Sequence, residues 1–278
     1  MKYDLHTHST ASDGTCTPIE SVKRAASKGL AGIALTDHDT VSGIPEALEE
    51  AAKQKCFELV PGIEISTKYG SQDVHVLGYF INTADQQLIH QLDALRNVRD
   101  ERNRLIINKL QQLGIAIEHD ELEAKRKIGG NVGRGHIAEL LIEKGYAKSI
   151  PEAFNIYLGK GSKAFQMVDR ISPFEALKMI KNAGGAAVLA HPGIYGDCGD
   201  LIPALAGEGM DGLECWHPDH TIEQTKHYFS LAHNLRLIPT AGSDFHGFRN
   251  GEVFHGDLGT CHVTKEVLDM LKNAAKGT

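Results

Sequence analysis

Short apolar runs alternate with amphipathic stretches at the start of the chain, give way to a long helical pattern, and then return. Residues 3–8 read as a strand. Thr17-Pro18-Ile19-Glu20 is a capping box with proline at the first helical position, so a helix starts there, and Gly29 ends it. Residues 31–36 form a continuous apolar run, as in a strand covered on both faces. A helix is expected over residues 43–55 and strands over 59–65 and 74–79. From 84 to 114, Leu88, Leu92, Leu95, Leu105, Ile106, Leu110 and Leu113 recur on roughly one stripe, which predicts helix. Further helices are expected near 120–127, 135–144 and 151–158, and this whole stretch contains no convincing strand. Ser172-Pro173-Phe174-Glu175 caps the next helix, and Thr221 caps another. Strands at 186–190, 211–215, 237–241 and 258–263 bring the expected total to seven or eight.

That order predicts an α/β fold built of βα units, and a barrel rather than an open sheet. The barrel takes residues 1–84 and 166–278, and a helical insertion takes 85–165. With 278 residues, 41% hydrophobic and 23% charged, the chain has the makeup of a soluble globular protein. A net charge of −7 argues against a surface that coats nucleic acid, so stable duplex binding is not expected. No apolar run approaches a membrane span and no signal peptide precedes the first strand, so a cytoplasmic protein is expected. The five cysteines show no C-x-x-C spacing, which speaks against a disulfide framework or a thiolate zinc site.

The histidines change the picture, because there are fifteen of them and many fall at strand ends. His6 and His8 are two apart on a strand, so they project to one face. Asp13 follows in the next loop, and Asp37-His38-Asp39 follows the second strand. Glu64 ends the third strand, His75 lies in the fourth, and His191 ends the strand after the insertion. Asp244 and His246 follow a late strand in Gly-Ser-Asp-Phe-His-Gly. Polar groups at the C-terminal ends of barrel strands converge on one mouth. Six imidazoles and three carboxylates there make a metal cluster the natural account. His217 and His220 are intermediate and are candidates for substrate contact. His90, His119, His227, His233 and His255 lack a partner pattern and are expected at the solvated surface, while His262 is expected to be structural.

Taken together, H-x-H at His6 and His8, Asp13, T-D-H-D at 36–39, P-G-x-E at 61–64, His75, A-H-P at 190–192 and S-D-F-H at 243–246 resemble the PHP family of metal-dependent phosphoesterases. The resemblance runs the length of the chain and implies a distorted seven-stranded β/α barrel. Within the family the chain is similar to the members that act on nucleoside 3′,5′-bisphosphates and on short RNA from the 5′ end. Those members carry a helical insertion with an Arg-x-His element, here Arg134-Gly135-His136, implied to bind substrate. Where they often have a further lysine, this chain has Ser162 beside Lys163.

The resemblance implies three divalent metals. His6, His8, Glu64 and Asp244 would hold one; Glu64, His75 and His191 a second; Asp13, His38 and His246 the third. Imidazole and carboxylate without thiolate suit Mn²⁺ first, with Fe²⁺ and Zn²⁺ fitting the same donors. A metal-bridging hydroxide is the expected nucleophile, and Asp37 or Asp39 beside His38 is a candidate to donate or orient a proton. Arg96, Arg99 and Arg102 form one face of the long helix, expected to be solvated or to funnel an anion. Tyr157 and Phe165 are candidates to stack a base. The expected partner is a small phosphorylated nucleotide or a short oligoribonucleotide. A histidinol-phosphate-type phosphatase and a non-catalytic metal-binding module are the alternatives.

Overall fold

The computed structural model describes residues 1–127, 129–195, 199–249 and 252–277. Seven strands form one sheet in which each lies beside its neighbour in sequence. β1 (Tyr3–Thr7), β2 (Gly32–Leu35) and β3 (Glu58–Tyr69) run parallel. β4 (Gln72–Tyr79) is antiparallel to β3 and to β5 (Ala186–Leu189). β6 (Gly212–Trp216) and β7 (Ile238–Ala241) continue parallel to β5. Beyond β7 the chain returns to the first strand, where Thr7 bridges Phe245, and the sheet becomes a nearly closed barrel.

Two antiparallel steps distort what would otherwise be a regular βα barrel. The first is a hairpin whose two-residue turn places Gly70 at φ 58, a conformation that glycine adopts without a side-chain clash. This turn lets β3 and β4 run on past the apolar cores read from the sequence. Residues 258–263 do not form the expected further strand. Gly259 sits at φ 81 and donates its N–H to the Asp4 carboxylate, and only Val263 bridges Tyr3.

Helices cover the barrel as the caps foretold. α1 (Pro18–Ser27) has the Thr17–Glu20 capping box, and α2 (Ile44–Ala51) packs beside it. The insertion begins with α3 (Gln86–Gln112), whose 27 residues span about 40 Å. Its first half buries Leu88, Leu92 and Leu95 on the barrel's core. Its second half puts Ile106, Ile107 and Leu110 into a separate core shared with α5 (Arg134–Glu143). One rigid helix thus belongs to two cores and fixes the insertion over the barrel mouth. α4 (His119–Glu123) is shorter than expected, and α6 (Ile150–Ala153) runs into a π-helical turn at Phe154–Leu158. After α7 (Pro173–Asn182) the chain re-enters the barrel. A short α8 (Leu201–Gly207), unforeseen in the sequence, and α9 (Ile222–Asn234) follow. A two-stranded hairpin, β8 (Phe248–Arg249) and β9 (Glu252–Val253), precedes α10 (Lys265–Lys276). Cys16, Cys56, Cys215 and Cys261 are free, and Cys198 lies outside the described residues.

Candidate metal centre

The nine predicted ligands converge at one mouth, and Glu64 is their hub. Its Oε2 lies 3.4 Å from His6 Nε2, 3.2 Å from His8 Nε2 and 3.0 Å from His38 Nδ1. Its Oε1 lies 2.9 Å from His75 Nδ1 and 3.0 Å from His191 Nε2. Asp244 Oδ1 is 3.2 Å from both His6 Nε2 and His8 Nε2. Asp13 Oδ1 is 3.3 Å from His246 Nε2 and 4.0 Å from His38 Nε2. Each expected ligand set is therefore brought together, with Glu64 reaching His75 and His191 through one oxygen and His6, His8 and His38 through the other.

These contacts fit cations better than they fit a hydrogen-bonded core. His6 Nε2, His8 Nε2, Asp13 Oδ1, His38 Nδ1, Glu64 Oε2 and Asp244 Oδ1 are buried without a hydrogen-bond partner. Buried polar atoms are ordinarily paired, and six unpaired ligand atoms aimed at one another call for a shared positive centre. Protons alone serve this site unevenly. Burial disfavours the charged form of His8, yet hydrogen bonds to Asp244 and Glu64 carry its pKa up to about 10. Burial pushes His191 and His246 down to about 4. Backbone strain marks the same place. His191 at φ 24 and Asp244 at φ 51 are non-glycine residues in the left-handed region.

The surrounding residues hold the ligands in place. Gly242 comes so close to β1 that an added Cβ would lie 2.2 Å from His6 Cβ. Glu214 of β6 takes the Nδ1–H of His6 at 3.1 Å and the backbone N–H of His191 at 2.8 Å. It thereby turns His6 Nε2 toward the cluster and braces the strained backbone of a ligand from another set. Burial alone would raise the Glu214 pKa, but His6 beside it holds it below the usual carboxylate range. Its signal in the sequence was an acidic residue inside an apolar strand, Gly-Leu-Glu-Cys-Trp. We predict that Glu214→Gln weakens metal binding by at least about tenfold while leaving the fold intact. Calorimetric titration with Mn²⁺ checks this, and unchanged affinity removes Glu214 from the role.

His217 accepts the Asp219 N–H on Nδ1 and so offers Nε2–H to Asp244 Oδ2 at 3.3 Å. His220 is structural, bonded to Cys215 O and the Gly193 N–H. His255 is not the surface residue expected. Asp219 holds its Nδ1 at 2.6 Å, and the ring lines the mouth 3.6 Å from Asp244. His90, His227 and His233 are exposed, whereas His119 is half-buried against Asn108. His262 bonds Gly259 O within its turn. Asp37 faces away from the mouth. Its carboxylate accepts Ser9 N–H, Ser9 Oγ–H and Ser12 Oγ–H at 2.6–2.8 Å, bracing the loop that carries Asp13.

Above the ligands lies a cavity of about 480 Å³ with five arginines in its wall: Arg99, Arg102, Arg134, Arg170 and Arg249. Arg99 and Arg102 are buried and line the cavity, while Arg96 on the same face of α3 is half-buried. Arg99 pairs with Asp39 and donates to Ser66 Oγ at 2.7 Å. Arg134 pairs with Asp73 at 2.8 Å, and Arg170 approaches the other oxygen of Asp73 at 3.6 Å. Arg249 joins Glu139 of α5 to the Asp13 carbonyl, at 3.0 and 2.7 Å. His136 is buried and accepts the Gly133 N–H at 3.3 Å, so its ring caps its own helix. Phe165 lines a small adjoining cleft, and the aromatic rings in the main cavity are Phe154 and Phe254.

A buried histidine–carboxylate cluster at the mouth of a distorted barrel, facing a basic cavity, defines a metal-dependent phosphoesterase. The chain belongs to the PHP family: the PHP domain model matches residues 4–159. It is 37% identical to a 5′-3′ exoribonuclease of Haemophilus influenzae, over 88% of this chain and 90% of that one. It is 34% identical to a 3′,5′-nucleoside bisphosphate phosphatase of Chromobacterium violaceum, over 87% and 86%. A metal-dependent phosphoesterase structure from Bifidobacterium adolescentis superposes with a TM-score of 0.90 at 29% identity, over 98% and 96%. The protein is a hydrolase acting on phosphoester bonds. No helix among the described residues is long and apolar enough to cross a membrane.

Proposed function

We propose that this enzyme removes the 3′-phosphate of nucleoside 3′,5′-bisphosphates, and that short RNA entering by its 5′ end is cleaved by the same chemistry. The observation that carries this reading is the pairing of two unlike anion sites in one cavity, a nine-ligand cluster on the floor and five guanidinium groups in the wall. A substrate with one phosphate leaves the wall unanswered. The exoribonuclease and bisphosphate phosphatase relatives act on substrates of the matching kind.

His6, His8, Glu64 and Asp244 would hold one divalent ion, Glu64, His75 and His191 a second, and Asp13, His38 and His246 a third. The donors are nitrogen and oxygen without sulfur, which favours Mn²⁺, with Fe²⁺ and Zn²⁺ as alternatives. When bound, such ions supply a water acidic enough to attack phosphorus at neutral pH and a clamp for the non-bridging oxygens. The protein's own groups do the positioning. Arg102 and Arg170 present guanidinium edges without full acidic partners, and Arg134 sits beside them, so the 5′-phosphate is drawn to that end. The scissile phosphate is thereby held over the cluster. His255, fixed by Asp219, is the imidazole that reaches the cavity from outside the nine-ligand set and hydrogen-bonds the scissile group. Asp37 has its lone pairs committed to the Ser9–Ser12 loop and takes no part in proton transfer. The insertion, residues 85–165, acts as a substrate cap, contributing Arg99, Arg102 and Arg134. A nucleotide substrate agrees with work in the cytoplasm.

The deciding experiment offers Mn²⁺-loaded enzyme adenosine 3′,5′-bisphosphate and histidinol phosphate. The bisphosphate is expected to be the better substrate, and the reverse order overturns the reading. Arg134→Ala is expected to lower kcat/KM for the bisphosphate about tenfold more than for a one-phosphate ester, the worth of one charge-assisted hydrogen bond. Equal losses on both substrates place Arg134 outside the 5′-phosphate site.

A further inference from the structure

We propose that Phe154 and Phe254 form an aromatic platform on which the substrate's nucleobase stacks, an inference that rests on the function proposed above. Both rings line the cavity. Both are half-buried, packed on one side against the core of the insertion. Their remaining surface faces the space where a nucleoside would lie.

The rings reach the cavity from different parts of the chain. Phe154 comes from the π-helical turn after α6, and Phe254 comes just after β9. Each is steadied by a guanidinium with a partner of its own. Arg134, tied to Asp73, lies 5.7 Å from the Phe154 centroid. Arg249, tied to Glu139 and the Asp13 carbonyl, lies 5.0 Å from the Phe254 centroid. These ties fix the rings before substrate arrives, which lowers the entropy lost on binding. Phe254 also stands 6.0 Å from His246, ring to ring and nearly perpendicular. The platform therefore begins at the edge of the histidine–carboxylate cluster.

The other side chains in that wall leave few ways to hold a base. Apart from the histidines, Ser66 is the only uncharged polar side chain lining the cavity among the described residues, and its Oγ accepts from Arg99. Ile150 and Pro151 extend the apolar surface beside Phe154. A base there meets ring faces rather than amides or hydroxyls, so stacking supplies the affinity. Stacking on an aromatic side chain is worth about 1–3 kcal/mol per base, or roughly a factor of 5 to 150.

The test compares kcat/KM of the Mn²⁺-loaded full chain on adenosine 3′,5′-bisphosphate and on the same sugar bisphosphate without a base. The adenosine compound is expected to be preferred about tenfold or more. Phe154→Leu and Phe254→Leu, which keep an apolar group against the insertion core, are each expected to reduce that preference, and the double variant to bring it near one. Phe254→Trp, with a larger ring, is expected to retain it. An unchanged preference in a double variant that melts like the parent overturns the platform, as does equal turnover of both compounds by the parent enzyme. If the enzyme turns over neither compound, the proposed function fails. Calorimetric binding of the two bisphosphates then measures the same ratio and judges the platform alone.

Discussion

Glu64→Gln is expected to lower kcat/KM for adenosine 3′,5′-bisphosphate by at least about a thousandfold, the equivalent of roughly 4 kcal/mol of transition-state stabilisation. The same substitution is expected to lower the metal content of the purified protein by one equivalent or more, measured by elemental analysis. The side chain keeps its shape, so the loss is electronic rather than steric. Glu64 touches five imidazoles, three through one oxygen and two through the other. An amide replaces one of those oxygens with an N–H₂ donor, which faces nitrogens poised to bind a cation. It also removes the charge at the point where the three expected ligand sets meet. A variant with full metal content and activity within tenfold of the parent removes Glu64 from the bridging role.

Arg102→Met is expected to move stability and activity in opposite directions. Arg102 is 3% exposed, its Nε has no hydrogen-bond partner, and no ion pair joins it to a carboxylate among the described residues. A buried, unpaired charge costs several kcal/mol, and an apolar side chain of similar length removes that cost. The gain is about 1–3 kcal/mol, which for a chain of this size raises Tm by several degrees. The price falls on substrate. Loss of a charge-assisted contact to the 5′-phosphate lowers kcat/KM about a hundredfold, chiefly through KM. Scanning calorimetry and steady-state kinetics on one preparation measure both effects. A lower Tm with unaltered kinetics assigns Arg102 a structural role instead.

The fold was legible where local chemistry decides it. The capping boxes at Thr17, Ser172 and Thr221 mark helix starts within a residue of those observed. The apolar runs became strands at the expected places, apart from residues 258–263. That segment has the composition of a strand, but the turn at Gly259 and its tie to Asp4 leave only Val263 to pair with β1. The antiparallel setting of β4 was not legible either, because parallel and antiparallel strands share the same side-chain alternation. A two-residue turn at Gly70 settled the direction.

The site divides along the same line. Its candidate ligands were readable because most are polar residues in or just beyond apolar strands: Glu64 and His75 lie inside β3 and β4, while His6, His8, His38, His191, Asp244 and His246 lie at or just past strand ends. His255 sits in a loop with no period to read, and only the β8–β9 hairpin brings it beside Asp244. Arg99 and Arg102 look like any charged helix face until the insertion folds over the mouth and takes them out of water.

By itself, then, the sequence pointed to a barrel with nine candidate ligands in or near its strands, since hydrophobic periodicity and residue type are local properties. The tertiary structure decided that Glu64 reaches five imidazoles through its two oxygens, that Glu214 steers His6, and that two core-spanning halves of α3 turn a basic helix face into the wall of the cavity. Those are relations between residues as many as 208 positions apart. No local pattern encodes them, because they arise only when burial forces distant polar groups to find one another.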